Sequence, residues 1–261
     1  MLKHHEESIR NVVQYFQSDP EVEALVLGGS LAHGFASPIS DVDVMILVSD
    51  EQYAQRMNEG RLHFFNRELC TYPEGYVDGK YLGMPHLDQV AEKGSEPARF
   101  AFQDARVLFS QRDSLNEKIR LIASYPAARK AERIGRFYAQ FEAWNWYVHE
   151  ALKSGNRYLL GMSISKLVLF GGRLILAHNE LLYPYHKWFL KVLAGAKEKP
   201  AELLTCIESL YQTPSDENTQ SFYEMIKGFQ DWEVSGNSWP VQFMFDSELN
   251  WQTGVAPVDD L

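Results

Sequence analysis

The stretch from Leu25 to Val48, LVLGGSLAHGFASPISDVDVMILV, constrains what this 261-residue chain can fold into more than any other. Two apolar runs rich in β-branched residues enclose a Gly-Gly-Ser turn, a polar loop, and two aspartates separated by one valine. ALVLGG reads as a short buried strand and DVDVMILV as a second. Side chains two apart on a strand point to the same face, about 7 Å apart along the backbone, so Asp41 and Asp43 can converge on shared cations. Their mutual repulsion is relieved when a divalent ion neutralises them, and hard carboxylate oxygens suit Mg²⁺. A bare D-x-D pair is more often solvated in a loop, so the residues upstream matter.

Gly29 and Ser30 follow the first strand directly, and SLAHGF can begin a short helix. Glycine lets backbone approach a ligand closely, free N–H groups at a helix start favour an anion, and the Ser30 hydroxyl adds a donor. One stretch therefore offers a phosphate cradle and a metal clamp on adjacent strands. Competing phosphate and acyl-transfer motifs are excluded. Gly29 and Gly34 have P-loop spacing, but Phe35 and Ala36 stand where Lys and Ser/Thr are required. No G-x-G-x-x-G occurs, and Ala32 spoils a G-x-S-x-G elbow.

Elsewhere, strands and helices interleave as far as about Phe109. Helices are expected at Glu7–Phe16, in EQYAQRMNEG and in LDQVAEKG, and strands in GYVDGKYLG and ARVLF. Beyond Asp113 the periodicity is almost entirely helical, in DSLNEKIRLIASY, AERIGRFYAQFEAWNWYVHEALKSG, NRYLLGMSISKLVLFGGRLILAHNELL, YHKWFLKVLAG and PAELLTCIESLYQ. The shift falls between about residues 110 and 125 and divides the chain into 1–112 and 113–261. The last stretch reads as an arm before an acidic tail. Lys166 and Arg173 interrupt the most apolar run, which reads as a buried helix and not a membrane span. A formal charge of -10 argues against a protein built to neutralise a nucleic-acid backbone. Cys70 and Cys206 give neither metal spacing nor a disulfide framework, and MLKHHEESIR lacks a signal-peptide core, so a cytoplasmic setting is expected. HHEE reads as an exposed polar helix start, and Arg173 and His178, an R-x4-H pair, read as packing residues.

LGGSLAHGFASPISDVDVM resembles the signature of the nucleotidyltransferase superfamily that includes DNA polymerase β and the antibiotic nucleotidyltransferases. Gly29, Ser30, Asp41, Val42, Asp43 and Val44 fill its slots. The helical half is similar in size and layout to the C-terminal domains of aminoglycoside nucleotidyltransferases, such as the streptomycin and kanamycin enzymes. The resemblance implies an α+β fold: an N-terminal nucleotidyltransferase α/β domain with a small mixed sheet, then a C-terminal all-helical bundle. It also implies a third carboxylate on a neighbouring strand. Asp78 in YVDGKYL is in a suitable setting; Asp104 is the main rival and Glu74 a third choice. The implied chemistry is transfer of a nucleoside monophosphate, AMP from ATP by default, to a hydroxyl of a small molecule with release of pyrophosphate. Asp41, Asp43 and Asp78 would hold two Mg²⁺ ions about 3.5–4 Å apart, Asp78 doubling as a general base, while Gly29 and Ser30 hold the β- and γ-phosphates.

Lys187, at a helix start, either reaches the triphosphate or is an ordinary surface lysine. Glu142, Asn145 and His149 share a helical face beside Trp144 and Trp146. That face either receives a cationic acceptor such as an aminoglycoside or is the polar stripe of an amphipathic helix. The expected partners are a nucleoside triphosphate and a small hydroxylated acceptor, with no membrane and no nucleic acid. A protein or tRNA acceptor, as in toxin–antitoxin relatives, and a non-catalytic nucleotide-binding interaction protein are the alternatives.

Overall fold

A computed structural model of the chain describes residues 1–232, 236–252 and 254. The expected acidic tail lies outside the described residues. Contacts divide the chain into two compact units, Met1–Ser124 and Tyr125–Leu261.

The first unit is a five-stranded mixed sheet with helices on both faces. In chain order it comprises α1 (Lys3–Gln17), β1 (Val22–Leu27), α2 (Gly29–His33), β2 (Val42–Val48), α3 (Asp50–Asn58), β3 (His63–Asn66), β4 (Val77–Leu82), α4 (Met84–Lys93), α5 (Glu96–Phe100), β5 (Arg106–Ser110) and α6 (Leu115–Ala123). The strand order is β3-β4-β2-β1-β5. Only the β2–β4 pairing is parallel; β1 runs antiparallel to both β2 and β5, and β3 antiparallel to β4.

Period-2 alternation sorts the side chains between the two faces. Leu25 and Leu27 of β1, with Val42, Val44, Ile46 and Val48 of β2, pack against Ile9, Val12 and Phe16 of α1. Ala24, Val26, Leu47 and Leu82 line the opposite face, against Leu87 and Val90 of α4 and Leu115, Ile119 and Ile122 of α6. The helix α6 therefore packs with the sheet, although its sequence resembles the helical half that follows. A further departure is at the N-terminus: HHEE is not simply an exposed helix start. His5 is fully buried, its ring edge-on to Tyr72 at 5.2 Å.

The second unit is helical. Its elements are α7 (Lys130–Ser154), α8 (Arg157–His178), α9 (Phe189–Ala194), α10 (Leu203–Gln212), α11 (Asp216–Lys227) and α12 (Trp239–Phe243), with 3₁₀ turns at Ala127–Arg129, His186–Trp188 and Asn250–Gln252. Gly155 ends α7 in the left-handed conformation and Asn156 caps α8, its side chain accepting from the Leu159 N–H at 3.1 Å. The two long helices thus form a hairpin with a two-residue connection. Among the described residues one helix, α8, is long and apolar enough to cross a membrane, and half of its most apolar window is buried within the protein. Leu167, Leu174 and Ile175 of α8 belong to the central cluster of this unit, together with Phe141, Phe222 and Leu193. Arg173 is a packing residue: its guanidinium lies between the rings of Phe137 (4.2 Å) and Tyr183 (4.4 Å). The C-terminal arm docks on α7 through Arg136–Asp246 and Gln140–Ser247 contacts.

Candidate active site

The antiparallel register of β1 and β2, with Leu27 opposite Val44, brings the end of one strand against the start of the other. The Gly28 N–H donates to the Asp43 carbonyl at 3.0 Å. The chain then turns through Gly29 at φ +59°, and a β-carbon there would land on the Asp43 carboxylate. Position 29 requires glycine for both reasons, its left-handed backbone and the close approach of the acid. Ser30, the next residue, is 5% exposed. Its Oγ is buried and has no hydrogen-bond partner among the described residues.

Asp41 immediately precedes β2, and Asp43 is its second residue. In the parallel β2–β4 pair Asp43 is directly opposite Asp78. Alternation puts both on the sheet face that carries Leu47 and Leu82 farther along the same strands. The Asp78 Oδ1 is 3.2 Å from the Nε2 of His63, on the edge strand β3. The phenol of Tyr76 registers the whole group: Asp41 foremost, then burial, with Asp43 and Asp78 contributing, hold its proton on above the ordinary tyrosine range. The loop leading to Asp41 is fixed by the Tyr72 hydroxyl, which donates to the Ser40 carbonyl, and by His4 Nε2 at 2.9 Å from the Pro38 carbonyl.

The two rivals of Asp78 lie elsewhere. Asp104 precedes β5, on the far flank of β1, where it pairs with His33 (Nδ1 to Oδ2 3.4 Å). Glu74 is an exposed turn residue at φ +64°. His63, which sequence reasoning passed over, is the polar neighbour of Asp78; its only local signal is a four-residue alternation at a sheet edge.

Among the described residues no three His, Cys, Asp or Glu side chains stand together as a ready metal-ligand group. The donor chemistry nonetheless fits a hard divalent cation, since three carboxylates share one end of one sheet face and all act on the same phenol. The Ser30 Oγ, without a hydrogen-bond partner among the described residues, is a donor at the turn that a phosphate oxygen would suit.

In the second unit, the helical face proposed for an acceptor is largely an internal contact with α11. The Tyr223 hydroxyl donates to Glu142 at 2.9 Å and accepts from Lys227 Nζ at 2.7 Å. Burial, with Glu142 close by, pushes the Tyr138 hydroxyl well above its usual range. His149 Nδ1 is 2.7 Å from Asp216 Oδ1, and the buried Asn145 Oδ1 has no partner among the described residues. Trp146 is exposed. Lys187 is exposed on the turn before α9, its Nζ 5.2 Å from the Trp188 ring.

A family profile described as a nucleotidyltransferase domain matches residues 9–102. The match falls within the sheet-bearing unit. No curated protein matches the chain. A nucleotidyltransferase-like protein from Exiguobacterium sibiricum 255-15, of known crystal structure, is similar to it at 9% identity. That match covers 95% of this chain and 79% of the other, with a TM-score of 0.48.

Proposed function

We propose that the first unit transfers a nucleoside monophosphate, AMP from ATP, to a hydroxyl of a small acceptor and releases pyrophosphate. Gly29 and Ser30 hold the β- and γ-phosphates, the glycine by allowing close backbone approach and the serine through its unpartnered hydroxyl. Asp41, Asp43 and Asp78 are the residues that would hold two Mg²⁺ ions. Divalent ions bound there neutralise the triphosphate and make the acceptor hydroxyl more acidic. The acceptor oxygen attacks the α-phosphorus, the bond to the bridging oxygen breaks, and the hydroxyl proton passes to the Asp78 carboxylate. His63 keeps one oxygen of that carboxylate oriented. Positioning and charge stabilisation supply most of the acceleration in such transfers.

The shared register of Asp43 and Asp78, with Gly29 moulded around Asp43, supports this reading most. An aminoglycoside-like acceptor, chosen by the helical unit, follows from the likeness of that unit's layout to the C-terminal domains of the antibiotic enzymes. Lys187 is its proposed contact to the triphosphate. Acceptor binding along Glu142, Asn145 and His149 would have to open the Tyr223 and Asp216 hydrogen bonds. The test is a pyrophosphate-release screen of ATP and GTP with Mg²⁺ against aminoglycosides, lincosamides and other hydroxylated metabolites. Wild type should turn over one of these and Asp43→Asn none. Calorimetry separates the alternative of a nucleotide-binding scaffold: metal-independent ATP binding, unaltered in Asp41→Asn and Asp43→Asn, would replace the enzyme reading.

A further inference from the structure

The short helix α2, which carries Ser30, is braced from the side by the end of α5 and the segment leading from it to β5. At one end, the carbonyl of Ala101 lies 3.7 Å from where a β-carbon on Gly28 would sit. At the other, the His33 side chain is 1% exposed and stacks on Phe100, with ring centroids 4.5 Å apart and planes 28° apart. Its Nδ1 faces Asp104 Oδ2 at 3.4 Å. Successive tight turns set Asp104 in place: Phe102 N–H to the Arg99 carbonyl, Gln103 N–H to that of Phe100, and Ala105 N–H to that of Phe102. They hold Asp104 at φ +59°, a left-handed conformation that, after glycine, Asn and Asp adopt most readily.

We propose that Asp104 and His33 form a latch that positions the Gly28–Ser30 turn and thereby sets the affinity for the triphosphate. The inference rests on the nucleotide-binding role proposed above for that turn. Asp104 then acts as a positioning residue, two strands away from the three acids at the β2–β4 pair. His33 lies three residues beyond Ser30 on a helix of five, so a sideways shift of its ring is transmitted directly to Ser30 Oγ. Misplacing a phosphate-holding group weakens binding without altering the reacting groups.

The experiment is calorimetric titration of the full chain with ATP and Mg²⁺, alongside steady-state pyrophosphate release. Asp104→Ala and His33→Ala should each weaken binding and raise KM about tenfold, the scale of one lost charge-assisted hydrogen bond, with kcat nearly unchanged. The double variant should be no worse than either single one, because the two residues act as a unit. Asp104→Asn tolerates the same backbone and still accepts from an imidazole N–H, so it should recover most of the affinity. Thermal unfolding checks that each variant is folded, and if either alanine variant is not, His33→Phe, which keeps a ring against Phe100 and removes the contact to Asp104, carries the test with the same expected loss. Wild-type affinity in folded Asp104→Ala and His33→Ala, with binding lost in Ser30→Ala, would overturn the latch and leave the proposed function standing. A folded wild type that binds no ATP would overturn both.

Discussion

Gly29 is the residue whose replacement tests the site most directly. Alanine there must adopt a left-handed backbone and displace the Asp43 carboxylate. Gly29→Ala should therefore abolish ATP binding and lower the melting temperature, whereas Gly34→Ala, also at positive φ but with open space around it, should cost only about 1 kcal/mol. Calorimetry and thermal unfolding of the two variants separate site geometry from backbone strain. Protonation gives a second residue-scale prediction. Burial lowers the proton affinity of His5, His33 and His86, with His4 adding to it at His5 and Lys80 at His86; Asp104 opposes it at His33. Below the ordinary imidazole value of 6.5 the unfolded chain takes up protons that the folded chain refuses. Stability is thus fully present above that value and should fall as the pH drops through the lowered values of these groups. Urea midpoints measured between pH 8 and 5 should decline, and His5→Gln should flatten the decline. The Asp41–Asp43 pair and the Gly29–Ser30 turn were legible in the sequence because their spacing is local. His63 and the His33–Asp104 pair were not, since each joins residues that only strand pairing or loop closure brings together.

Among the elements, α8 depends on small residues where neighbouring rings cross it. A β-carbon on Gly171 would come within 2.8 Å of the Phe222 ring, and one on Gly172 would overlap the ring of Phe189. Gly172→Ala gains helix propensity of about 1 kcal/mol but forces Phe189 aside, and overpacking of this kind costs about 1–3 kcal/mol. The expected net loss is readable by chemical denaturation, while Gly161→Ala, with nothing near its β-carbon, should stabilise. Among the elements that escaped sequence reasoning, α11 and β3 did so for different reasons. The helix α11 carries readable signals: a Ser215 cap and buried Thr219, Phe222, Tyr223 and Ile226 at helical spacing. The strand β3 carries almost none, because it is four residues long and lies at a sheet edge, with His63 and Phe65 exposed and none of the four buried.

For the whole molecule, the two units each enclose their own core. Both faces of the sheet are filled by residues from within Met1–Ser124. A chain ending at Ser124 should therefore unfold cooperatively in urea, whereas one ending at residue 112 lacks α6 and should expose Leu115's partners on the sheet and bind a hydrophobic dye. The sequence by itself determined the architecture, because alternation with period 2 and then 3.6 is written locally, and it made legible the Gly29–Ser30 turn and the Asp41–Asp43 pair, which lie in one strand–turn–strand stretch. Tertiary structure decided the rest. It placed Asp78 opposite Asp43, sent Asp104 to the other flank, assigned α6 to the sheet, and committed Glu142 and His149 to α11. Each of these depends on which strand or helix becomes a neighbour, and that choice is made by burial summed over the whole unit, which no short window of sequence contains.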